Sequence, residues 1–208
     1  MQRPGSASAV KYFLFDLMDT IVVDPFHNLI ANLLPPGMSF DEWRSCRERA
    51  AFEDFEKGLI SESEYFHRFY LQDLPESVKA RLMRPQLLKT KLYEKIEFVH
   101  GMHDLLVDLK GKATLAILSN YGPWYSEVLR LRPELEDLFD FLFFSCEIGH
   151  RKPEPGFYGA VHEALRLEGR DAVFIDDREE NLTEAARLGW KTHRFAGTKG
   201  LSQWISSL

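Results

Sequence analysis

The sequence predicts an α/β fold, a Rossmann-like doubly wound parallel sheet with an α-helical cap inserted after the first strand. Three observations carry that prediction. From residue 99 onward, apolar strand-like runs alternate with helical patterns over short links, as right-handed crossovers around a mostly parallel sheet require. The apolar runs lead into polar residues: Asp16, Ser119 with Asn120, Lys152, and Asp176 with Asp177. Between the first run and the helix at Gly101 lie roughly 75 residues, far beyond the usual strand-to-helix link of about 2–6.

Tyr12–Phe15 is a continuous apolar run closed by Asp16, the pattern of a strand buried on both faces. Residues 24–98 read as helices. In "SFDEWRSCRERAAFEDFEKG", Ser39 is a cap and Phe40, Trp43, Phe52 and Phe55 are the apolar positions. "SESEYFHRFYLQDL" and "PESVKARLMRPQLLKTKLYEKIEF" follow, the latter interrupted near Pro85. Their aromatic residues fit a packed interior better than a substrate platform.

Beyond the insertion, "GMHDLLVDLKGK" sets Met102, Leu105, Leu106 and Leu109 at helical spacing, with Gly111 as its end. "ATLAILS" is a buried strand ending at Ser119, and Phe141–Phe144 is another apolar run. "PEPGFYGAVHEALRLEG" aligns Phe157, Ala160, Val161, Ala164 and Leu165, between Pro155 and Gly169. "AVFID" is a strand, Asp177–Gly189 a helix, "WKTHRF" a strand, and a short helix surrounds Trp204. Residues 10–23 and 99–208 thus form a core, and 24–98 a separate cap.

The chain has 208 residues, 45% of them hydrophobic, and a formal charge of −6. That is enough to bury a full core, and the acidic balance argues against nucleic acid as a partner. No apolar run reaches membrane-spanning length, so the expectation is a soluble, unsecreted protein of the cytoplasm or an organellar stroma. Cys46 and Cys146 lie far apart without metal-ligand spacing and read as reduced thiols. Nothing in the sequence sets an oligomeric state.

In parallel sheets ligands bind outside the carboxyl ends of the strands. The polar endings therefore gather on one edge, where their chemistry suits metal-assisted phosphoryl transfer. Asp16 and Asp177 offer the hard oxygens that Mg2+ prefers. Lys152 can balance a negatively charged intermediate, Ser119 can hold phosphate oxygens, and Asp16 can serve as a nucleophile.

"FDLMDT", "LSNY", "RKPEPGFY" and "FIDDREEN" resemble, in order and spacing, the four motifs of the haloacid dehalogenase-like hydrolase superfamily. The resemblance implies Asp16 as nucleophile and Thr20 as a brace and substrate-side residue of its loop. It implies Ser119 and Asn120 on the phosphate and Lys152 as the motif lysine. Mg2+ is implied on Asp16, the Met18 carbonyl, Asp177 and its neighbour Asp176, with Asn181 behind them. The insertion resembles the C1-type cap of many members. "MDTIVVDPF", "GMSFDEWRSC" and "FEKGLISE" resemble a plant-plastid group that hydrolyses flavin mononucleotide (FMN), which implies FMN, or another small phosphorylated molecule, as substrate.

Met18 departs from the pattern, because most phosphatases of the superfamily carry there an aspartate that moves the proton. Asp19 is the local replacement expected on sequence, with a bound water or a cap residue as alternatives. Two other readings follow from Met18. One is a phosphate-ligand or partner-binding protein with impaired turnover. The other is a metal-independent 2-haloacid dehalogenase, against which the Asp176–Asp177 pair argues.

Overall fold

The computed structural model describes residues 10–168 and 171–208. Gly169, expected above to stop a helix, lies outside the described residues. The chain opens with β1 (Tyr12–Phe15). Then come α1 (Phe26–Leu33), α2 (Phe40–Ser45), α3 (Arg49–Glu56), α4 (Glu62–His67), α5 (Glu76–Lys79) and α6 (Pro85–Leu92). The alternating part follows: α7 (Met102–Leu109), β2 (Thr114–Ser119), α8 (Tyr125–Leu131), α9 (Glu134–Leu138), β3 (Phe141–Phe144) and α10 (Ser145–Ile148). It closes with α11 (Pro155–Leu165), β4 (Ala172–Asp176), α12 (Glu179–Arg187), β5 (Lys191–Arg194) and α13 (Thr198–Ile205).

The five strands form one parallel sheet in the order β3-β2-β1-β4-β5. The connections run outward from β1 to β3 and then cross back to β4, so the direction of winding switches beside β1. Phe15 pairs with Ile175, which brings Asp16 and Asp176 out of the sheet side by side at that switch point.

Successive strand residues supply opposite layers, as the two-residue strand period dictates. Leu14, Ala116, Leu118 and Phe174 pack with Phe157, Tyr158 and Val161 of α11 and Leu182 of α12. Phe13, Phe15, Leu115, Ile117, Val173 and Ile175 pack on the other face with Met102 and Leu106 of α7 and Leu201 of α13. The buried positions of α11 are Phe157, Tyr158, Val161 and Leu165. Ala164, expected on that stripe, is exposed, because the bulky Tyr158 rather than a small residue faces the sheet.

The second apolar layer continues without a break into residues 24–98, through Trp43, Phe55, Tyr65 and Phe69. The segment leaves and returns on adjacent backbones: Val23 N–H donates to the Glu97 carbonyl at 2.8 Å and Val99 N–H to the Ile21 carbonyl at 2.9 Å. Ser39 caps α2 in a reciprocal capping box with Glu42. The helical stretch from Ser39 to Gly58 is divided into α2 and α3 at residues 46–48. There Arg47 bridges to Tyr70 and lays its guanidinium 3.7 Å from the centre of the Phe69 ring. Across α3 the pattern also differs from expectation. Phe52 is 39% exposed, whereas Glu56 is only 8% exposed.

The end of α3 docks on the loop after β2 and on the start of α10, which follows β3 directly. Ser145 Oγ donates to the Glu56 carbonyl at 2.6 Å, and Gly58, at φ 69°, lies against the Cys146 carbonyl. Among the described residues no helix is long and apolar enough to cross a membrane, and both cysteines are free.

Gly58 tests this docking. A Cβ there would sit 2.2 Å from the Cys146 carbonyl oxygen, on a left-handed backbone. Gly58→Ala is therefore expected to cost about 1–3 kcal/mol through overpacking and strain, read as a lowered midpoint in chemical denaturation.

Candidate active site

The centre of the sheet edge is built by β1 and β4, whose residues 13–15 and 172–175 are apolar and buried up to Asp16 and Asp176. Asp16 continues the ladder by donating its N–H to the Ile175 carbonyl at 2.8 Å, which fixes its side chain beside the end of β4. Asp176 ends β4, fully buried. Its Oδ1 accepts the Arg178 N–H at 2.8 Å, and both its oxygens accept from Asn181 Nδ2 at 3.1 and 2.9 Å. Asn181 lies in the first turns of α12, so that helix is locked to the strand it follows.

Lys152 arrives from the loop after β3. Its ammonium donates to Asp16 Oδ1 and to Asp176 Oδ2, each at 2.8 Å, with the lysine 2% exposed. A fully buried ammonium is stable only if paired and hydrogen-bonded. Burial works against its charge, but the two carboxylates outweigh that and leave the Lys152 pKa above its ordinary value.

Asn120 positions this lysine. Its Nδ2 donates to the Lys152 carbonyl at 2.8 Å, and its Oδ1 accepts the Lys152 N–H at 2.7 Å. Both ends of the amide are thus engaged on the Lys152 backbone, an assignment different from the substrate contact expected on sequence. Ser119 is buried at the end of β2, next to it. Thr20 is fully buried, and its Oγ1 has no hydrogen-bond partner.

Asp16, Asp176 and Asp177 each offer a carboxylate oxygen, and these atoms lie within 4.8 Å of one another. Burial, with Asp176 adding to it, pushes Asp16 up to about 6 against the pull of Lys152. Burial and Asp176 likewise raise Asp177. Three carboxylates facing one ammonium leave a formal charge of −2, which would repel a dianionic phosphate ester. An all-oxygen donor set with excess negative charge fits a hard divalent cation such as Mg2+.

Asp19 takes a different place from the one expected. Its backbone is left-handed, at φ 55°. Its Oδ1 accepts the Asp24 N–H at 2.9 Å, and the residue is exposed. Aspartate is among the few residues that tolerate this conformation, and here its carboxylate braces the turn after β1. Met18 is half-buried beside it, so no carboxylate stands at that position.

Two residues not singled out on sequence border the site. Glu56 Oε2 lies 2.8 Å from Arg151 Nη2, and Arg151 immediately precedes Lys152. Burial pushes Glu56 up to about 7 despite the opposing pull of Arg151 and Arg178. The only sequence signal was an acid one residue after Phe55 on an otherwise apolar helical face. From the loop after β2, Trp124 packs against Phe55, Tyr65 and Phe66, and its Nε1 donates to Glu62.

The sequence pattern of the haloacid dehalogenase-like hydrolases matches residues 10–189. The chain is 31% identical over 196 residues to flavin mononucleotide hydrolase 1 of Arabidopsis thaliana, named as a chloroplast protein, covering 94% of this chain and 76% of that one. It is 27% identical to the glyceraldehyde 3-phosphate phosphatase of Pyrococcus abyssi, covering 88% and 80%. A solved family enzyme of Bacteroides thetaiotaomicron, in complex with magnesium and inorganic phosphate, superposes with a TM-score of 0.72 at 22% identity, covering 94% and 99%. The chain belongs to the haloacid dehalogenase-like hydrolases, and it is an enzyme of their phosphatase type.

Lys152 is the test of this arrangement. Lys152→Met strips the buried carboxylates of their counter-charge and is expected to cost about 3–5 kcal/mol. Chemical denaturation should show that loss, with part of it recovered when Mg2+ is added.

Proposed function

We propose that the chain is a Mg2+-dependent phosphomonoester hydrolase that works through an aspartyl-phosphate on Asp16, with FMN as its substrate. The observation that carries this reading is the three-carboxylate cluster clamped by Lys152 at the switch point of the sheet. Asp16, Asp177 and the Met18 carbonyl would hold the cation, with Asp176 behind them. Mg2+ bound there would supply the positive charge that lets a phosphate ester approach.

Asp16 attacks phosphorus, and the ester P–O bond breaks as the aspartyl P–O bond forms. Lys152 holds the Asp16 carboxylate ionised for that attack and offsets charge on the phosphoryl oxygens, aided by Ser119. Water then attacks the aspartyl-phosphate, releasing inorganic phosphate and restoring the carboxylate. Such transfers depend mostly on positioning and electrostatics. A missing proton donor at position 18 therefore slows the reaction without abolishing it. With Asp19 engaged in its turn, the departing alkoxide takes its proton from water.

The FMN reading is supported by the similarity to the Arabidopsis hydrolase and by the aromatic residues at the junction of cap and core. Trp124 and Phe66 are only half-buried at that junction, and a flat apolar isoalloxazine ring stacked on them would gain about 0.5–1.5 kcal/mol per pair beyond burial. The plastid assignment of that relative supports an organellar stroma as the site of action.

Phosphate release from FMN and from p-nitrophenyl phosphate, with and without Mg2+, tests the reading. Asp16→Asn is expected to abolish Mg2+-dependent release from both. Asp19→Asn is expected to lose less than about tenfold, since loss of a general acid would cost about 10²–10⁴-fold. Release from the aryl ester alone, which needs no proton on departure, would remove FMN from the proposal. Tight FMN binding without any release would replace catalysis with recognition.

A further inference from the structure

Glu56 is a buried carboxylate that the proposed reaction does not use. It is the last residue of α3 and ties together three segments. Its carbonyl accepts from Ser145 Oγ at 2.6 Å, and that same Oγ accepts the Tyr121 N–H at 2.9 Å. Its carboxylate faces Arg151, whose backbone runs directly into Lys152. The end of α3 thus touches the loop that carries Asn120 and the loop that carries Lys152, the two loops that hold the lysine in place.

The charges around it are mixed. Arg151 and Lys152 face it from the loop before α11, Arg178 from the loop before α12, and Glu53 from its own helix. Tyr65 of α4 and Tyr121 of the loop after β2 complete the surroundings. Although Arg151 Nη2 is 2.8 Å from Oε2, that oxygen has no well-aligned hydrogen bond and is shut off from water. Burial outweighs the pull of these cations, so the docked site disfavours the carboxylate.

We propose that Glu56 is a proton-coupled latch, whose protonation favours docking of α3 on the Asn120 and Lys152 loops and whose ionisation loosens it. The direction follows from linkage. In the docked structure burial holds Glu56 at about 7. Undocked and exposed, it returns to the ordinary glutamate range near about 4.3. The docked state binds the proton more tightly. Its advantage is complete below the exposed value and is lost as pH rises through about 7. Between pH 6 and pH 8 docking is expected to weaken by about tenfold. A dianionic substrate bound at the adjoining edge would pull in the same proton, so substrate binding and latch closure reinforce each other.

Hydrogen exchange of the full chain, corrected for intrinsic rates and followed in peptides covering α3, residues 121–125 and residues 145–152, tests this without substrate or metal. The wild-type protein is expected to lose about tenfold in protection of α3 between pH 6 and pH 8. Glu56→Gln, neutral at both values, should remove that loss and protect α3 at pH 8 as the wild type does at pH 6. Arg151→Gln, which removes the main charge opposing protonation, should move the loss to higher pH. The same pH dependence in wild type and Glu56→Gln overturns the latch, as does protection that rises with pH. Because exchange is read without turnover, its outcome is independent of whether FMN is the substrate. Should phosphate release also be measured, Glu56→Gln is expected to flatten the alkaline fall in kcat/KM. A loss confined to kcat on alkyl esters would overturn the latch in favour of direct proton transfer by Glu56.

Discussion

Everything at the active edge depends on one buried ammonium. Lys152 bonds Asp16 and Asp176 at equal distance in a site with almost no solvent. Neither carboxylate could stay ionised there without it, because the desolvation of an unpaired charge exceeds what the fold can bear. The demand propagates outward. The lysine has to be held by its backbone, which Asn120 does. Asp176 needs its remaining lone pairs filled, which Asn181 and the Arg178 N–H do. Four chain segments are drawn to one point because each supplies part of a single charge balance.

That balance is deliberately incomplete in sign. With Asp177 included, the edge is more negative than Lys152 alone offsets, a balance that the divalent cation proposed above would complete. The chemistry and the stability are thereby coupled. On the proposed reaction, a charge arrangement that is costly by itself would become favourable with metal and ester bound, as expected where binding energy supports catalysis.

Much of this was legible in the sequence. Continuous apolar runs located β1, β2 and β4, and their endings located Asp16, Ser119 and Asp176. A strand that is apolar up to its tip shows by composition which polar residue it delivers to the sheet edge. What could not be read were choices made by tertiary contact. Asp176 and Asp177 are adjacent in the chain, and only burial shows that Asp176 holds Lys152 while Asp177 is the more open of the two. Asn120 stands beside a phosphate-type serine, yet its amide is matched to a backbone 32 residues away. Asp19 looked like a spare acid, and a left-handed turn fixed it elsewhere. In α3 the pattern inverted, with Phe52 facing outward and Glu56 inward, because the end of the helix is buried against core loops rather than against its own layer.

On the proposed reaction, Asp16 is the nucleophile that carries the phosphoryl group in a covalent intermediate. The most direct measurement is a rapid quench of the full-length protein with FMN and Mg2+, followed by borohydride reduction and peptide mass mapping. Reduction converts an aspartyl-phosphate to homoserine, so the account predicts that mass change at Asp16 and at no other residue. Phosphate released in a single turnover with Asp16 unmodified, or the change at another carboxylate, would contradict it.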